Sequence, residues 1–155
     1  MQITDETHLR EIVGHPIEMV RNKVKPTLSE IHRDWLAESP MVFLATSDEQ
    51  GRVDVSPNGD PRVKVVHVID DTRIAIPERP GNKRVDGYLN ILRNPHAGNV
   101  FLIPGRGDTL RVNGPARIVD DGDYFDELAV KGKRPILAVE IDVDEVFFHC
   151  AKAFM

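Results

Sequence analysis

The sequence predicts a mainly β (α+β) protein: an antiparallel barrel, closed or nearly closed, with a few peripheral helices. Three observations carry this. From Met41 onward, short runs alternate apolar and polar residues with a period of two, as half-buried strands do. Six to eight such runs follow one another, most joined by tight turns and interrupted by few helices. So many strands leave exposed edges unless they close on themselves, and closure removes the edges.

The elements follow in order. The 155 residues fit a single domain, 1–155, with a helical segment at 1–40 and a barrel at 41–152. Thr4 and Asp5 are capping-type residues ahead of Leu9, Ile12 and Val13, and Gly14 ends the pattern, which predicts a first helix. After Pro26, the residues Leu28, Ile31, Trp35 and Leu36 share a stripe, which predicts a second helix closed by Pro40. "MVFLATSDEQGRVDVSP" reads as two strands joined by a turn from Asp48 to Gly51, and "RVKVVHVIDDTRIAIP" repeats the pattern around Asp70-Asp71. A helix is predicted from Lys83 to Arg93, where Val85, Tyr88, Leu89 and Leu92 recur at helical spacing before Asn94-Pro95 stops it. "NVFLIPG" and "TLRVNGPARIV" are strands, a short helix is expected around Tyr124 to Val130, and "ILAVEIDV" and "EVFFHC" complete the series. The chain ends on a semi-apolar segment without a stop signal, so the native protein is expected to continue past Met155.

Composition narrows the function. With 41% hydrophobic and 29% charged residues the chain is ordinary for a soluble protein, and a net charge of −5 argues against nucleic acid or an anionic membrane as partner. Any positive site must therefore be local. The single cysteine, Cys150, excludes an internal disulfide framework and a multi-cysteine zinc site. With no basic-then-apolar leader and no apolar run of bilayer length, the expected location is cytoplasmic. Six histidines are scattered without metal-ligand spacing, so no metal site is expected. Asp120-Asp121-Gly122-Asp123 lacks the remaining ligands of a calcium loop and reads as a turn.

The local positive site is "IPERPGNKRVDG", Ile76 to Gly87, which places two prolines, a glycine and the cations Arg79, Lys83 and Arg84 between a strand and a helix. A helix start presents backbone N–H groups without partners and the positive end of the helix dipole, so it binds anions. Arginine adds a bidentate grip on phosphate, glycine admits close backbone approach, and proline limits the conformations to be frozen. Such a loop is a phosphate seat. The alternative is a solvated charged loop in which Glu78 and Asp86 pair with the cations, and composition alone leaves both open. The glycine pattern of a P-loop or dinucleotide fold is absent.

Three ordered motifs add to this: S-P-x-G-D at Ser56 to Asp60, R-P-G-N-x-R at Arg79 to Arg84, and P-G-x-G-x-T-L-R-V-N-G ending at Gly114. Together they resemble FMN-binding split-barrel proteins related to pyridoxamine 5′-phosphate oxidase, most of all the subgroup carrying these motifs. The resemblance spans Met41 to about Lys152. It implies an antiparallel split β-barrel in which Arg79, Asn82 and Arg84, with Lys83, hold the FMN phosphate. It further implies that Ser56 and Pro57 lie near the flavin and that Val66 and His67 run beside the isoalloxazine. Thr109 and Arg111 would complete the site from a partner subunit, because the family builds two FMN sites at a homodimer interface. Where relatives often carry fixed positive charge, this chain has Asn58 and His67, which bears on how the ring's electronics are tuned. The resemblance also places Lys152 toward the flavin side, whereas the usual burial of a free cysteine suggests a packed Cys150.

The function this implies is an FMN-dependent oxidoreductase acting on an unidentified small molecule, with an electron donor such as NADH, NADPH or a deazaflavin. No side chain stands out as a catalytic acid or base, and the Arg-x-His segment with which true pyridoxamine phosphate oxidases bind substrate is not visible before Met155. Two alternatives come from other classes: a flavin-binding carrier or sensor without turnover, and a flavin-free interaction barrel.

Overall fold

A computed structural model of the chain describes residues 1–60, 62–79, 81, 83–150 and 152. Three helices, α1 (Glu6–Val13), α2 (Glu18–Asn22) and α3 (Glu30–Glu38), precede strands β1 (Met41–Ser47), β2 (Val53–Gly59), β3 (His67–Asp70) and β4 (Arg73–Glu78). Helix α4 (Asp86–Arg93) leads into β5 (His96–Leu102) and β6 (Asp108–Val119); a single 3-10 turn, Asp126–Leu128, then precedes β7 (Leu137–Asp142) and β8 (Glu145–Cys150). The eight strands pair antiparallel in the order β2-β1-β5-β6-β7-β4-β3, with β8 also on β6. This is the expected split-barrel architecture.

The split lies on β6. Its first half, Asp108 to Asn113, pairs with β8, and its second half, Ala116 to Val119, pairs with β7. The change of partner falls at Gly114-Pro115, where β6 passes hard against the β7–β8 corner: Asp144 N–H donates to the Asn113 carbonyl at 2.9 Å. Proline cannot donate to a ladder, which suits a residue at such a switch.

The alternating runs fill the barrel. Val42, Leu44, Ile74, Phe101, Leu110, Val112 and Ile141 are wholly or almost wholly buried. Each such side chain contributes roughly 1.5–3 kcal/mol of burial free energy. A smaller cluster of Tyr124, Phe125 and Leu128 covers the opposite face of β4 and β7 against Ala75 and Ala138. Helix α3 packs onto the barrel with Trp35 and Leu36, and Trp35 Nε1 donates to the Phe101 carbonyl at 3.3 Å.

Several expected details differ. Ile31 lies exposed, and His32 takes the third buried place on α3, because its ring packs 5.5 Å from Phe148. The strand expected to begin near Arg62 begins at His67, and Val65 and Val66 join the core from the preceding loop. Helix α4 starts at Asp86 instead of Lys83, since Lys83 and Val85 adopt left-handed backbone with φ of 65° and 51°. Its buried face is Gly87, Tyr88 and Ile91, while Val85, Leu89 and Leu92 are exposed. The helix expected around Tyr124 to Val130 is reduced to the one 3-10 turn, and α2 was not anticipated.

His32 couples stability to pH. Its Nδ1 accepts the Ser29 N–H at 3.0 Å, which requires the neutral ring, and burial, followed by the neighbouring Arg33 charge, holds its pKa below the usual 6.5. The unfolded chain binds the proton first, so this contribution is intact above pH 6.5 and is lost as pH falls through 6.5 toward the lower folded value. His67, depressed chiefly by burial, acts with the same sign. The urea midpoint is expected to fall between pH 7.5 and about pH 5.5, and to fall less in His32→Gln, whose amide oxygen still accepts the Ser29 N–H. An unchanged pH slope in that variant would contradict the assignment.

Candidate functional site

The loop between β4 and α4 opens onto a cleft with two lobes. The first, about 490 Å³, is lined by Ser56, Pro57 and Asn58 of β2, by Lys83 and Arg84, and by the first residues of α4. The second, about 270 Å³, is lined by Pro57, Asn58, Asp60, Val63, Lys64 and Arg79. Pro57, Asn58 and Glu78 border both lobes and form the neck between them. The first lobe has the size of a small-molecule site, the second is smaller, and both have a mixed polar and apolar lining.

The local sequence explains the shape. Pro77 ends the apolar part of β4, and Gly81 leaves room in the loop: a Cβ there would still be 3.9 Å from the Arg79 carbonyl and from Glu78 Oε1. Gly87 lets α4 approach β1 and β2, since its Cβ position lies 3.6–3.8 Å from Thr46, Asp54 and Leu44 side-chain atoms. Among the described residues no side chain caps the start of α4, where Val85 stands in the left-handed region. Left-handed backbone at a lysine and at a β-branched valine costs about 1–3 kcal/mol each, and such outliers gather at ligand clamps.

The electrostatics are mixed. Arg84 Nε donates to Asp86 Oδ2 at 2.8 Å, and Asp54 adds a further attraction, so both keep the guanidinium protonated. The pairing of Asp86 with a loop cation, expected for a solvated charged loop, is therefore present inside the cleft lining. Lys83 forms no ion pair with a described residue. Arg79 donates to the Leu128 carbonyl at 2.8 Å, which ties the loop to the 3-10 turn. Glu78 instead receives the phenol of Tyr88, whose pKa is pushed up by burial and then by this hydrogen bond. Asp60, gripped by Arg62 at the edge of the second lobe, is held down to about 2.

The remaining expected site residues are distributed as follows. Ser56, Pro57, Lys83 and Arg84 meet around the first lobe, and Arg79 lies on the second. Asn82 lies outside the described residues. Val66 and His67 line a third cavity, of about 310 Å³, beside α3, and the His67 ring stacks on Tyr124 at 4.8 Å. Lys64 borders both this cavity and the second lobe. Thr109 is buried and its hydroxyl donates to the His149 carbonyl at 3.0 Å. Arg111 lies over the Phe147 ring at 4.9 Å. Lys152 is exposed, and Cys150, expected to be packed, is exposed as well because it ends β8 at its outermost residue.

Sequence reasoning passed over Glu78 and Tyr88 as site residues. The available signal was slight: an acid immediately before Arg-Pro-Gly, and an aromatic on the apolar stripe of the following helix. Among the described residues no group of histidine, cysteine and carboxylate side chains could hold a metal, and no helix is long and apolar enough to cross a membrane.

Comparison with known proteins agrees with the fold. The chain is similar to HupZ from Group A Streptococcus, with a TM-score of 0.60 and 20% identity, covering 78% of this chain and 93% of that one. It is also similar to a candidate pyridoxamine 5′-phosphate oxidase of Lactobacillus delbrueckii, with a TM-score of 0.59 and 25% identity, covering 79% and 95%. A pyridoxamine 5′-phosphate oxidase-related, FMN binding protein of Nostoc punctiforme matches with a TM-score of 0.52 and 14% identity, over 73% and 75%. A sequence comparison with curated proteins returns no significant match. The model of the family described as pyridoxamine 5′-phosphate oxidase matches residues 28–150, which takes in the whole barrel and the loop from Arg79 to Arg84, and the chain belongs to that family.

Proposed function

We propose that the chain is an FMN-binding flavoprotein and an oxidoreductase for a small molecule. The observation that carries this is the two-lobed cleft at the uncapped start of α4, with Lys83 and Arg84 on one lobe and a wall of Val63, Val65 and Pro77 on the other. Lys83 and Arg84 hold the phosphate with charge-assisted hydrogen bonds, and the strained backbone at Lys83 and Val85 presents them there. The apolar wall and Pro57 take the ring, while Asn58 supplies a polar contact without fixed charge. When bound, a flavin supplies two-electron transfer between donor and acceptor.

The working unit in this reading is a homodimer. Pro57, Phe43, Val100, Arg111 and Phe147 are directly paired across β2, β1, β5, β6 and β8, so they form one row on one sheet face. Val53 and Val55 lie on the same face, 78% and 60% exposed. Arg111 stands three strands from β2, about 14 Å, and leans onto Phe147 on the far side. It can serve a flavin at the cleft only from a second copy packed on this row. Sedimentation at micromolar concentration is expected to give a dimer that dissociates on Val53→Glu/Val55→Glu; a wild-type monomer would overturn the shared site.

A carrier or sensor without turnover is favoured by one observation: Asn58 is neutral and His67 is stacked on Tyr124 instead of facing either lobe. Anaerobic mixing with NADH, NADPH or a reduced deazaflavin separates the two. Bleaching of the bound flavin by one donor is the result expected of an oxidoreductase, and flavin left oxidised by all three favours the carrier. The exposed free thiol of Cys150 fits a reducing, cytoplasmic setting.

A further inference from the structure

The geometry points to Glu78 as the residue that receives the hydroxyl-bearing chain between ring and phosphate, which makes the neck of the cleft a site for a polyol linker. This rests on the flavin reading above and says which part of the ligand this carboxylate recognises.

Glu78 is the least expected group in the cleft, and its carboxylate is held by a phenol from the next helix. It borders both lobes, the first of which also holds the cations Lys83 and Arg84 and the second Arg79. A carboxylate so close to a phosphate seat repels a dianion unless something neutral separates them. Hydroxyl groups meet that need, since each can donate to a carboxylate oxygen and accept from an amide. Tyr88 fixes the acceptor: its phenol, on the buried face of α4, donates to Oε2. The second oxygen, Oε1, faces Gly81, 3.9 Å from that residue's Cβ position, and receives no hydrogen bond from another described residue. Asn58, on the neck with Glu78, offers an amide that can donate and accept. Lys83 and Arg84 on the first lobe, a fixed acceptor and an amide shared by both lobes, and Val63, Val65 and Pro77 on the second lobe beside Arg79 and Lys64 match a phosphate, a polyol and a ring in that order.

Three flavins dissect the site: FMN, riboflavin without the phosphate, and lumiflavin with neither phosphate nor polyol. Their affinities are measured by fluorescence quenching on the full chain as wild type, Glu78→Ala and the double variant Glu78→Ala/Tyr88→Phe. The double variant leaves no buried phenol without a partner, and circular dichroism checks that both variants are folded. Loss of Glu78 is expected to weaken FMN and riboflavin alike, by about tenfold or more, and to leave lumiflavin unchanged. Unaltered riboflavin affinity in both variants, or tighter FMN binding once the carboxylate is gone, overturns the inference while the flavin reading stands. Wild-type chain that binds none of the three flavins overturns both.

Discussion

The double variant Lys83→Ala/Arg84→Ala is expected to lose FMN affinity by about a hundredfold or more while its affinity for riboflavin stays within a factor of about three. A hydrogen bond to a charged group contributes about 1.5–3 kcal/mol when it is desolvated, so each lost contact costs about tenfold or more. Both side chains line the first lobe, beside a helix start that no described side chain caps. Lys83, with no ion pair among the described residues, is expected to carry the larger share. Arg84 is shared with Asp86 and Asp54, so the phosphate competes with them for it and the single Arg84→Ala variant costs less. Riboflavin is the control that distinguishes a phosphate seat from a general collapse of the loop. Equal losses for both ligands would mean that the cations only hold the loop in shape. Arg79→Ala belongs to a different class, because its guanidinium also ties the loop to the Leu128 carbonyl.

The second large effect is on the fold. Gly114→Ala is expected to destabilise the chain by about 3 kcal/mol or more, a fall in Tm of roughly 10 °C. A Cβ at this position would stand 1.7 Å from the Asp142 carbonyl oxygen, 2.9 Å from its carbon and 3.1 Å from the Asp144 nitrogen. All three are backbone atoms at the β7–β8 corner, so no side chain can swing aside to relieve the clash. Gly114 lies where β6 changes partner, and moving either chain there disturbs both halves of the split barrel. Gly105→Ala is the contrasting case: nothing lies within 4 Å of its Cβ position, and only its φ of 85° is unfavourable. Thermal melts of the two variants, compared with wild type, test the ranking; a Gly114→Ala chain as stable as Gly105→Ala would contradict the close approach.

The succession of short strands was legible because its signals are local. The turn from Asp48 to Gly51 is where two alternating runs meet, and Asp48 accepts from the Gln50 and Arg52 amides there, with Gly51 at a φ of 80°. The pairing of β6 with three strands was not legible, since it depends on Gly114 and on a corner thirty residues away in sequence. The start of α4 was misplaced for a related reason. Nothing in a lysine or a valine announces left-handed backbone, so the helical spacing from Val85 onward was read one turn too early and on the wrong stripe. The contact that sets the true face is Gly87 against Leu44 and Thr46, a small residue that an apolar-periodicity count ignores.

The cationic loop and Ser56-Pro57 were visible as sequence motifs; Ser56, Pro57, Lys83 and Arg84 line the first lobe and Arg79 the second. The pairing of Glu78 with Tyr88 was hidden because Tyr88 comes from the next helix and the two meet only in the fold. Arg111 shows the converse: the residue is plain in its motif, but the fold places it three strands from β2, against Phe147, and the proposed dimer is what would bring it to a cleft. His67 was expected beside the ring and stacks on Tyr124, an aromatic 57 residues later.

The most direct test is a crystal structure of the chain grown with excess FMN. The account predicts the phosphate within hydrogen-bonding distance of Lys83 Nζ at the start of α4, the ring against Val63, Val65 and Pro77, and a second copy covering the row that holds Arg111. Flavin bound elsewhere, or a corner before Asp86 that holds only water, would contradict it.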